Sequence, residues 1–122
     1  MRIFIVDDDA SLRRFVKRWL TSLDRYELWV FDNGAAAIEA LATRSPCVVL
    51  SDLDMPGASG EEVARAAARL PRPPRIVLMS GDHHRLVRAR GLAEATLDKP
   101  FSFKELLSVI EPGPGFAGCR AF

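Results

Sequence analysis

Aspartates follow two of the apolar segments of this chain, and their placement suggests chemistry. Residues 48–50 form an apolar run that favours a strand buried on both faces of a parallel sheet. The run leads into Asp52, and a Pro-Gly pair soon afterwards stops regular structure. A lone aspartate in such a place is often an ordinary loop residue. Residues 3–6 form a similar run, however, and it ends on three consecutive acids: Asp7, Asp8 and Asp9.

Two further polar residues follow apolar segments later in the chain. Ser80 follows residues 75–79, and Lys99 follows residues 95–97. If all these segments are strands of one parallel sheet, their carboxyl ends share the edge where open α/β sheets bind ligands. Converging carboxylates there resist ionisation unless positive charge compensates them. Mg²⁺ prefers oxygen ligands and accepts phosphate oxygens, so the set resembles a phosphoryl-transfer site with Asp52 as nucleophile.

Five apolar segments alternate with five segments of helical periodicity. The predicted strands are residues 3–6, 27–31, 47–52, 75–79 and 95–97, and the predicted helices are residues 12–23, 34–43, 61–70, 83–90 and 102–110. This alternation predicts an α/β fold whose parallel sheet is covered on both faces by right-handed crossovers. The less apolar second strand is expected at a sheet edge. The pattern alone leaves the strand order open.

The first helix carries a stripe of apolar residues that we expect to be core. The stripe consists of Leu12, Phe15, Val16, Trp19, Leu20 and Leu23. Asp9 or Ser11 is suited to cap this helix. At the other end of the chain, Pro and Gly residues interrupt regular structure beyond residue 111. We therefore predict one domain over residues 1–111 and a flexible tail over residues 112–122.

The composition limits the possible classes of function. The chain has 122 residues, of which 48% are hydrophobic and 27% charged, as in one soluble domain. A net charge of +1 and the lack of a separate basic cluster predict no direct contact with nucleic acid. No apolar run reaches membrane-spanning length, we expect no signal peptide, and two cysteines suggest no disulfide framework. We expect a cytoplasmic protein, and the sequence predicts no oligomeric state.

Four short segments, in this order, resemble the receiver domain of two-component response regulators. They are Val6-Asp7-Asp8-Asp9, Asp52-Leu53-Asp54-Met55-Pro56-Gly57, Met79-Ser80-Gly81 and Asp98-Lys99-Pro100-Phe101. Each is weak alone, but together they cover residues 1 to about 111 at predicted strand ends. The resemblance implies a flavodoxin-like (βα)5 fold with the strand order 2-1-3-4-5.

The resemblance also implies roles for the polar residues. Asp52 would accept a phosphoryl group from the phosphohistidine of a histidine kinase or a histidine phosphotransfer protein. Mg²⁺ would be held by Asp8, Asp52 and the backbone carbonyl of Asp54, with Asp7 acting mainly through water. Ser80 and Lys99 would bind the phosphoryl group, and the Lys99-Pro100 bond would be cis.

The kinase is expected to dock on the exposed side of the first helix and on the loop after Lys99. Arg14 and Arg18 lie on that side of the predicted helix, and Phe101 is expected to be unusually exposed. An aromatic residue that receivers commonly carry three positions before the lysine is replaced by Thr96. The resemblance therefore includes the residues for phosphorylation but not the aromatic residue of the family's usual signal relay. Whether the chain is a single-domain regulator or a piece of a hybrid kinase stays open.

Two other functions compete with a phosphoacceptor switch that is not an enzyme. Asp52 and Asp54 also resemble the nucleophile and general acid of haloacid-dehalogenase-type phosphatases. In that family the Asp-x-Asp strand comes first and the acidic pair last, the reverse of the order here, and this chain has no cap insertion. A pseudo-receiver that only binds a partner is disfavoured because every phosphorylation residue is present. The adjacent His83 and His84 would face apart on a helix, which disfavours a metal site.

Overall fold

The computed structural model describes residues 1–111, which form ten alternating strands and helices. They are β1 (Arg2–Val6), α1 (Ala10–Thr21), β2 (Glu27–Phe31), α2 (Gly34–Arg44), β3 (Val48–Asp52), α3 (Gly60–Ala68), β4 (Arg75–Ser80), α4 (His83–Ala89), β5 (Ala95–Asp98) and α5 (Phe103–Ile110). A short 3-10 turn, Arg90–Leu92, follows α4. All ten predicted elements are present, with small differences at their ends. The predicted tail, residues 112–122, lies outside the described residues.

The five strands form one parallel sheet in the order β2-β1-β3-β4-β5. This confirms the order implied by the resemblance and the edge position of β2. Because β1 and β3 are neighbours, Val6 lies beside Ser51, and the residues that follow both strands meet at one edge. On the other side of β3, Asp52 lies beside Met79 of β4. The topological switch point of the sheet, between β1 and β3, therefore lies at the edge that carries the aspartates.

The sheet has a hydrophobic layer on each face. Along β1, Phe4 and Val6 face one layer while Ile3 and Ile5 face the other, and all four are fully buried. Helices α2, α3 and α4 pack on the first layer, and α1 and α5 pack on the second. Burial on both faces explains why the three central strands, β1, β3 and β4, are largely continuous apolar runs in the sequence.

The prediction that Phe15 belongs to the core was wrong. Its side chain is 55% exposed, whereas Val16 and Leu20 of the same stripe are fully buried. Residues 16 and 20 are one helical turn apart and face the sheet, so Phe15 lies at the flank of this face. Its ring contacts Trp19 with a centroid distance of 6.3 Å, which leaves its outer face open to solvent.

Side-chain caps fix where the helices begin relative to the strand ends. The carboxylate of Asp9 accepts the backbone N–H groups of Ser11 and Leu12, as predicted for the start of α1. Asp82 caps α4 in the same way. Both caps lie just beyond strand ends, so they fix the path of the chain at the edge of the sheet that carries the aspartates. No helix in the described part of the chain is long and apolar enough to span a membrane.

Candidate functional site

Three aspartates converge at the carboxyl ends of β1 and β3. One carboxylate oxygen from each of Asp7, Asp8 and Asp52 lies within 4.8 Å of the other two. Asp7 is fully buried and Asp52 is 6% exposed, whereas Asp8 is exposed. The backbone N–H of Asp9 donates to Asp7 Oδ1 at 2.9 Å, which orients the buried carboxylate. The structure thus brings together the acids expected to form the site.

Lys99 supplies the positive charge among these acids. Its Nζ lies 2.7 Å from Asp7 Oδ2 and 3.2 Å from Asp52 Oδ1. Burial by itself lowers the pKa of Lys99, but the hydrogen bond and charge of Asp7, helped by Asp52, raise it above its ordinary value. Lys99 is therefore a fixed cation at neutral pH, and the two buried carboxylates, Asp7 and Asp52, share its ammonium group.

The carboxyl group of Asp52 resists ionisation in this setting. Burial raises the pKa of Asp52 from 3.8 to about 6, the charge of Asp7 adds to the shift, and Lys99 opposes it. Near neutral pH the group is a carboxylate held in an unfavourable environment. A perturbed carboxylate in a crevice marks a candidate functional site on physical grounds. A second cation next to Asp52 would relieve the remaining repulsion.

Ser80 is the last residue of β4, the strand beside β3. It is 2% exposed, and its Oγ accepts the backbone N–H of Asp82 at 3.0 Å. A hydroxyl that accepts one hydrogen bond can still donate its own proton. The backbone N–H of Lys99 donates to the Ser80 carbonyl at 2.9 Å, so the chain segments that carry the two residues are joined.

Asp54 lies in the loop between β3 and α3, two residues beyond Asp52. Its exposed carboxylate accepts from Arg85 Nε at 3.1 Å, and the same guanidinium donates two hydrogen bonds of 2.6 Å to Glu61. These hydrogen bonds lower the pKa of Glu61, although burial opposes the shift. The sequence patterns gave no sign of Arg85 or Glu61, because no spacing rule links residues so far apart in the chain.

Arg13 is a third residue at the site that the sequence patterns did not indicate. Its guanidinium donates to the backbone carbonyl of Asp7 at 2.7 Å, across the first turn of α1. Pattern analysis places Arg13 only on the polar side of α1. Its contact is to a backbone carbonyl, which every residue type has, so the sequence does not indicate it.

The donor set at this edge fits a hard divalent cation. Carboxylate oxygens are the ligands that Mg²⁺ prefers, and the excess negative charge would be neutralised by such an ion. Among residues 1–111, Asp7, Asp8 and Asp52 form the only cluster of potential ligands close enough to hold a metal ion. His83 Nδ1 lies 2.9 Å from Asp98 Oδ1.

Residues 3–111 match the family model described as the response regulator receiver domain. The chain belongs to this receiver family. The receiver domain is 32% identical to the response regulator receiver protein CpdR of Brucella abortus, over 90% of this chain and 93% of that protein. It is 35% identical to the DNA-binding transcriptional regulator NtrC of Escherichia coli K12, over 89% of this chain. The chain spans 24% of the length of NtrC.

A solved structure supports the same family. The response regulator TrrA from Thermotoga maritima, crystallised in complex with Mg²⁺ and BeF, superposes with a TM-score of 0.82 at 28% identity. The alignment covers 91% of this chain and 96% of TrrA. The suspected family and fold are thereby confirmed. This receiver domain is a phosphoacceptor module of two-component signalling, and the Asp52-Leu53-Asp54 segment belongs to that family rather than to the haloacid-dehalogenase-type phosphatases.

Two further expectations concern the segment around Lys99. The Lys99-Pro100 bond is cis in the receiver domain, as the resemblance implied. Phe101 is half-buried rather than unusually exposed, because its ring packs 6.4 Å from Trp19. Thr96, in the position of the usual aromatic, is half-buried on the edge strand β5 beside Leu78.

Proposed function

We propose that Asp52 is the phosphoacceptor of this receiver domain. A carboxylate oxygen of Asp52 attacks the phosphorus of a phosphohistidine, the P–N bond breaks, and its electron pair leaves with the imidazole. The product is a mixed anhydride of phosphate and the Asp52 carboxyl group. The observation that carries this proposal is the buried Asp52 carboxylate at the end of β3, 3.2 Å from Lys99 Nζ and clustered with Asp7 and Asp8.

The neighbouring residues divide the remaining tasks. Lys99 pairs with a phosphoryl oxygen as charge moves off Asp52, and Ser80 donates its hydroxyl proton to another. Asp8, Asp52 and the backbone carbonyl of Asp54 would hold Mg²⁺, with Asp7 acting mainly through water. When bound, the ion would neutralise charge on the phosphoryl oxygens. The clustered acids and the Mg²⁺ complex of the relative TrrA support this assignment.

A labelling experiment distinguishes a phosphoacceptor from an enzyme that hydrolyses phosphate esters repeatedly. Incubated with Mg²⁺ and a small phosphodonor such as acetyl phosphate, the chain is expected to gain one phosphoryl group, which peptide mapping would assign to Asp52. We propose that the chain is not an enzyme, so it should release no phosphate from a panel of stable phosphate esters. Repeated turnover of such esters, or a label on another residue, would contradict the proposal.

The phosphodonor in the cell is proposed to be a histidine kinase or a histidine phosphotransfer protein. The surface best suited to it is an aromatic strip formed by Phe15, Trp19, Phe101 and Phe103. Trp19 stacks on Phe103 at 5.6 Å and contacts the other two rings. The exposed Arg14 and Arg18 lie on the same helix, α1, which starts next to the aspartates. An exposed ring beside basic side chains is typical of an interface centre.

Replacing Phe15 with alanine is expected to slow phosphotransfer from a kinase that labels the wild-type domain, by about tenfold or more. Exchanging Arg14 and Arg18 for glutamate should act in the same direction. Labelling by acetyl phosphate should stay unchanged in both variants. Rates with both donors would be measured by quenched-flow or gel-shift assays.

Val87→Ala is the matched control for Phe15→Ala. Val87 is the other large apolar side chain exposed in the described residues, 42% exposed on α4. Its loss should leave both rates unchanged. Equal slowing by Val87→Ala would contradict a specific docking surface on α1, and equal slowing with both donors would indicate damage to the phosphoacceptor site.

The unit that carries this function is proposed to be residues 1–111, acting in the cytoplasm where such kinases find ATP. We propose no direct contact with nucleic acid and no insertion into a membrane. The DNA-binding activity in the name of NtrC is a property of that longer relative.

A further inference from the structure

Arg85 forms the most extensive ion-pair network near the Asp52 crevice. Its Nη1 and Nη2 each donate to one carboxylate oxygen of Glu61 at 2.6 Å, and its Nε donates to Asp54 Oδ1 at 3.1 Å. The side chains of Arg85 and Glu61 are each only 22% exposed. Paired, charge-assisted hydrogen bonds of this kind fix orientation as well as distance. The guanidinium is thus held in one place relative to α3.

The main chain of Arg85 is tied to the opposite side of the crevice. Its backbone N–H donates to Asp82 Oδ1 at 3.3 Å, and the backbone N–H of Asp82 donates to Ser80 Oγ at 3.0 Å. The side chain of Arg85 meanwhile reaches Asp54 in the loop after β3. Arg85 therefore connects the loop after β3 with the loop after β4, the two loops that flank Asp52.

The anchor on α3 is itself packed against Asp52. Gly60 begins α3, and a Cβ atom there would lie 2.3 Å from the backbone carbonyl oxygen of Asp52. The backbone N–H of Gly60 also donates to the carbonyl of Leu53 at 3.0 Å. Glu61 follows Gly60 directly, so its carboxylate stands in a fixed relation to the end of β3. The bidentate pair between Glu61 and Arg85 therefore fixes the position of α4 relative to the end of β3.

We propose that Arg85 is a positioning residue for phosphoryl transfer to Asp52. Held by Glu61, it sets the spacing between the Asp54 loop and the Ser80 hydroxyl. This inference rests on the proposed role of Asp52 but assigns a function to residues that do not touch the phosphoryl group. A misplacement of about 1 Å can slow such reactions as much as a hundredfold. Because Arg85 does not touch the phosphoryl group, loss of the pair should slow the reaction rather than prevent it.

Arg85→Ala and Glu61→Gln test the proposal because they change the local charge in opposite directions. Both variants are expected to lower the maximal rate of labelling by acetyl phosphate at saturating Mg²⁺ by about tenfold. The double variant should be no slower than either single variant, since the two residues act as one unit. If charge alone mattered, the Mg²⁺ concentration for half-maximal labelling would rise in one variant and fall in the other. Only one of the two variants would then be slower than the wild type.

Arg85→Lys retains the charge and the helix but loses the bidentate fork, so it should also be slow. Arg88→Ala, an exposed position on the same helix, is the matched control and should label at the wild-type rate. In the metal-free chain, amide spectra of Arg85→Ala should change over residues 53–59 and 80–84, whereas Arg88→Ala should alter only its neighbours on α4. Thermal unfolding would verify that each variant is folded.

The proposal is overturned if the wild-type protein is labelled on Asp52 and Arg85→Ala and Glu61→Gln are labelled as fast as the wild type. It is also overturned if Arg85→Lys matches the wild-type rate while Arg85→Ala does not, because charge alone would then suffice. A wild-type chain that takes no label would instead refute the role of Asp52. The two failures are therefore distinguishable.

Discussion

Asp52→Asn is expected to abolish labelling and to stabilise the folded chain at neutral pH. The amide cannot form the mixed anhydride, so both a kinase and a small phosphodonor should leave the variant unlabelled. Stability should rise because burial, with Asp7, holds the pKa of Asp52 at about 6 instead of 3.8, which makes its charged form unfavourable in the folded chain. Asparagine has no such charge.

The sign of the pH dependence follows from that pKa. Between pH 3.8 and about 6 the folded chain binds the Asp52 proton more tightly than the unfolded chain does, so stability falls as pH rises through this window. The penalty is fully present at pH 7 and absent below pH 3.8. Asp52→Asn should therefore gain on the order of 1–3 kcal/mol in urea unfolding at pH 7 without Mg²⁺, and little at low pH. Equal gains at both pH values would contradict the assigned charge penalty.

Asp8→Ala is expected to remove Mg²⁺-dependent labelling, with a loss of about a hundredfold or more, while the fold remains intact. Asp7 and Asp52 are buried and paired with Lys99, whereas Asp8 is exposed. Removing Asp8 therefore leaves no buried group without a partner, and it relieves repulsion among crowded carboxylates in the metal-free state. Titration calorimetry with Mg²⁺ and labelling rates would measure the effect.

Asp9→Ala is the matched control for Asp8→Ala. Asp9 is also an exposed acid, but its carboxylate caps α1. Its loss should cost about 1 kcal/mol of stability and leave Mg²⁺-dependent labelling in place. A clear loss of thermal stability in Asp8→Ala without metal, or an equal loss of labelling in Asp9→Ala, would contradict the role assigned to Asp8.

The alternation of apolar runs and helical periodicity was enough to predict the five strands and five α-helices of residues 1–111. This pattern also predicted which residues lie at the carboxyl ends of the strands, because Asp7, Asp52, Ser80 and Lys99 each follow an apolar run. The strand order needed the family resemblance, since a run buried on both faces carries no mark of its neighbours. The outward position of Phe15 was missed because an apolar stripe on a helix is wider than the part that contacts the sheet.

The Arg85 network shows why part of the site was beyond sequence reasoning. Arg85 lies 24 residues from Glu61 and 31 from Asp54, and it reaches them because α3 and α4 pack on the same face of the sheet. Periodicity describes which way a side chain points along its own helix. It does not describe what the neighbouring helix presents, so partners of this kind require coordinates.

The chain has two tryptophans, and the sheet separates them. Trp19 packs against the hydrophobic layer under α1 and α5, whereas Trp29 packs against the layer on the other face, with the guanidinium of Arg44 4.2 Å from its ring centroid. Each half of the interior therefore contains its own natural fluorophore. Single-tryptophan variants would report separately on the two halves, so the emission of Trp19 would follow events on the aromatic strip while that of Trp29 serves as an internal reference.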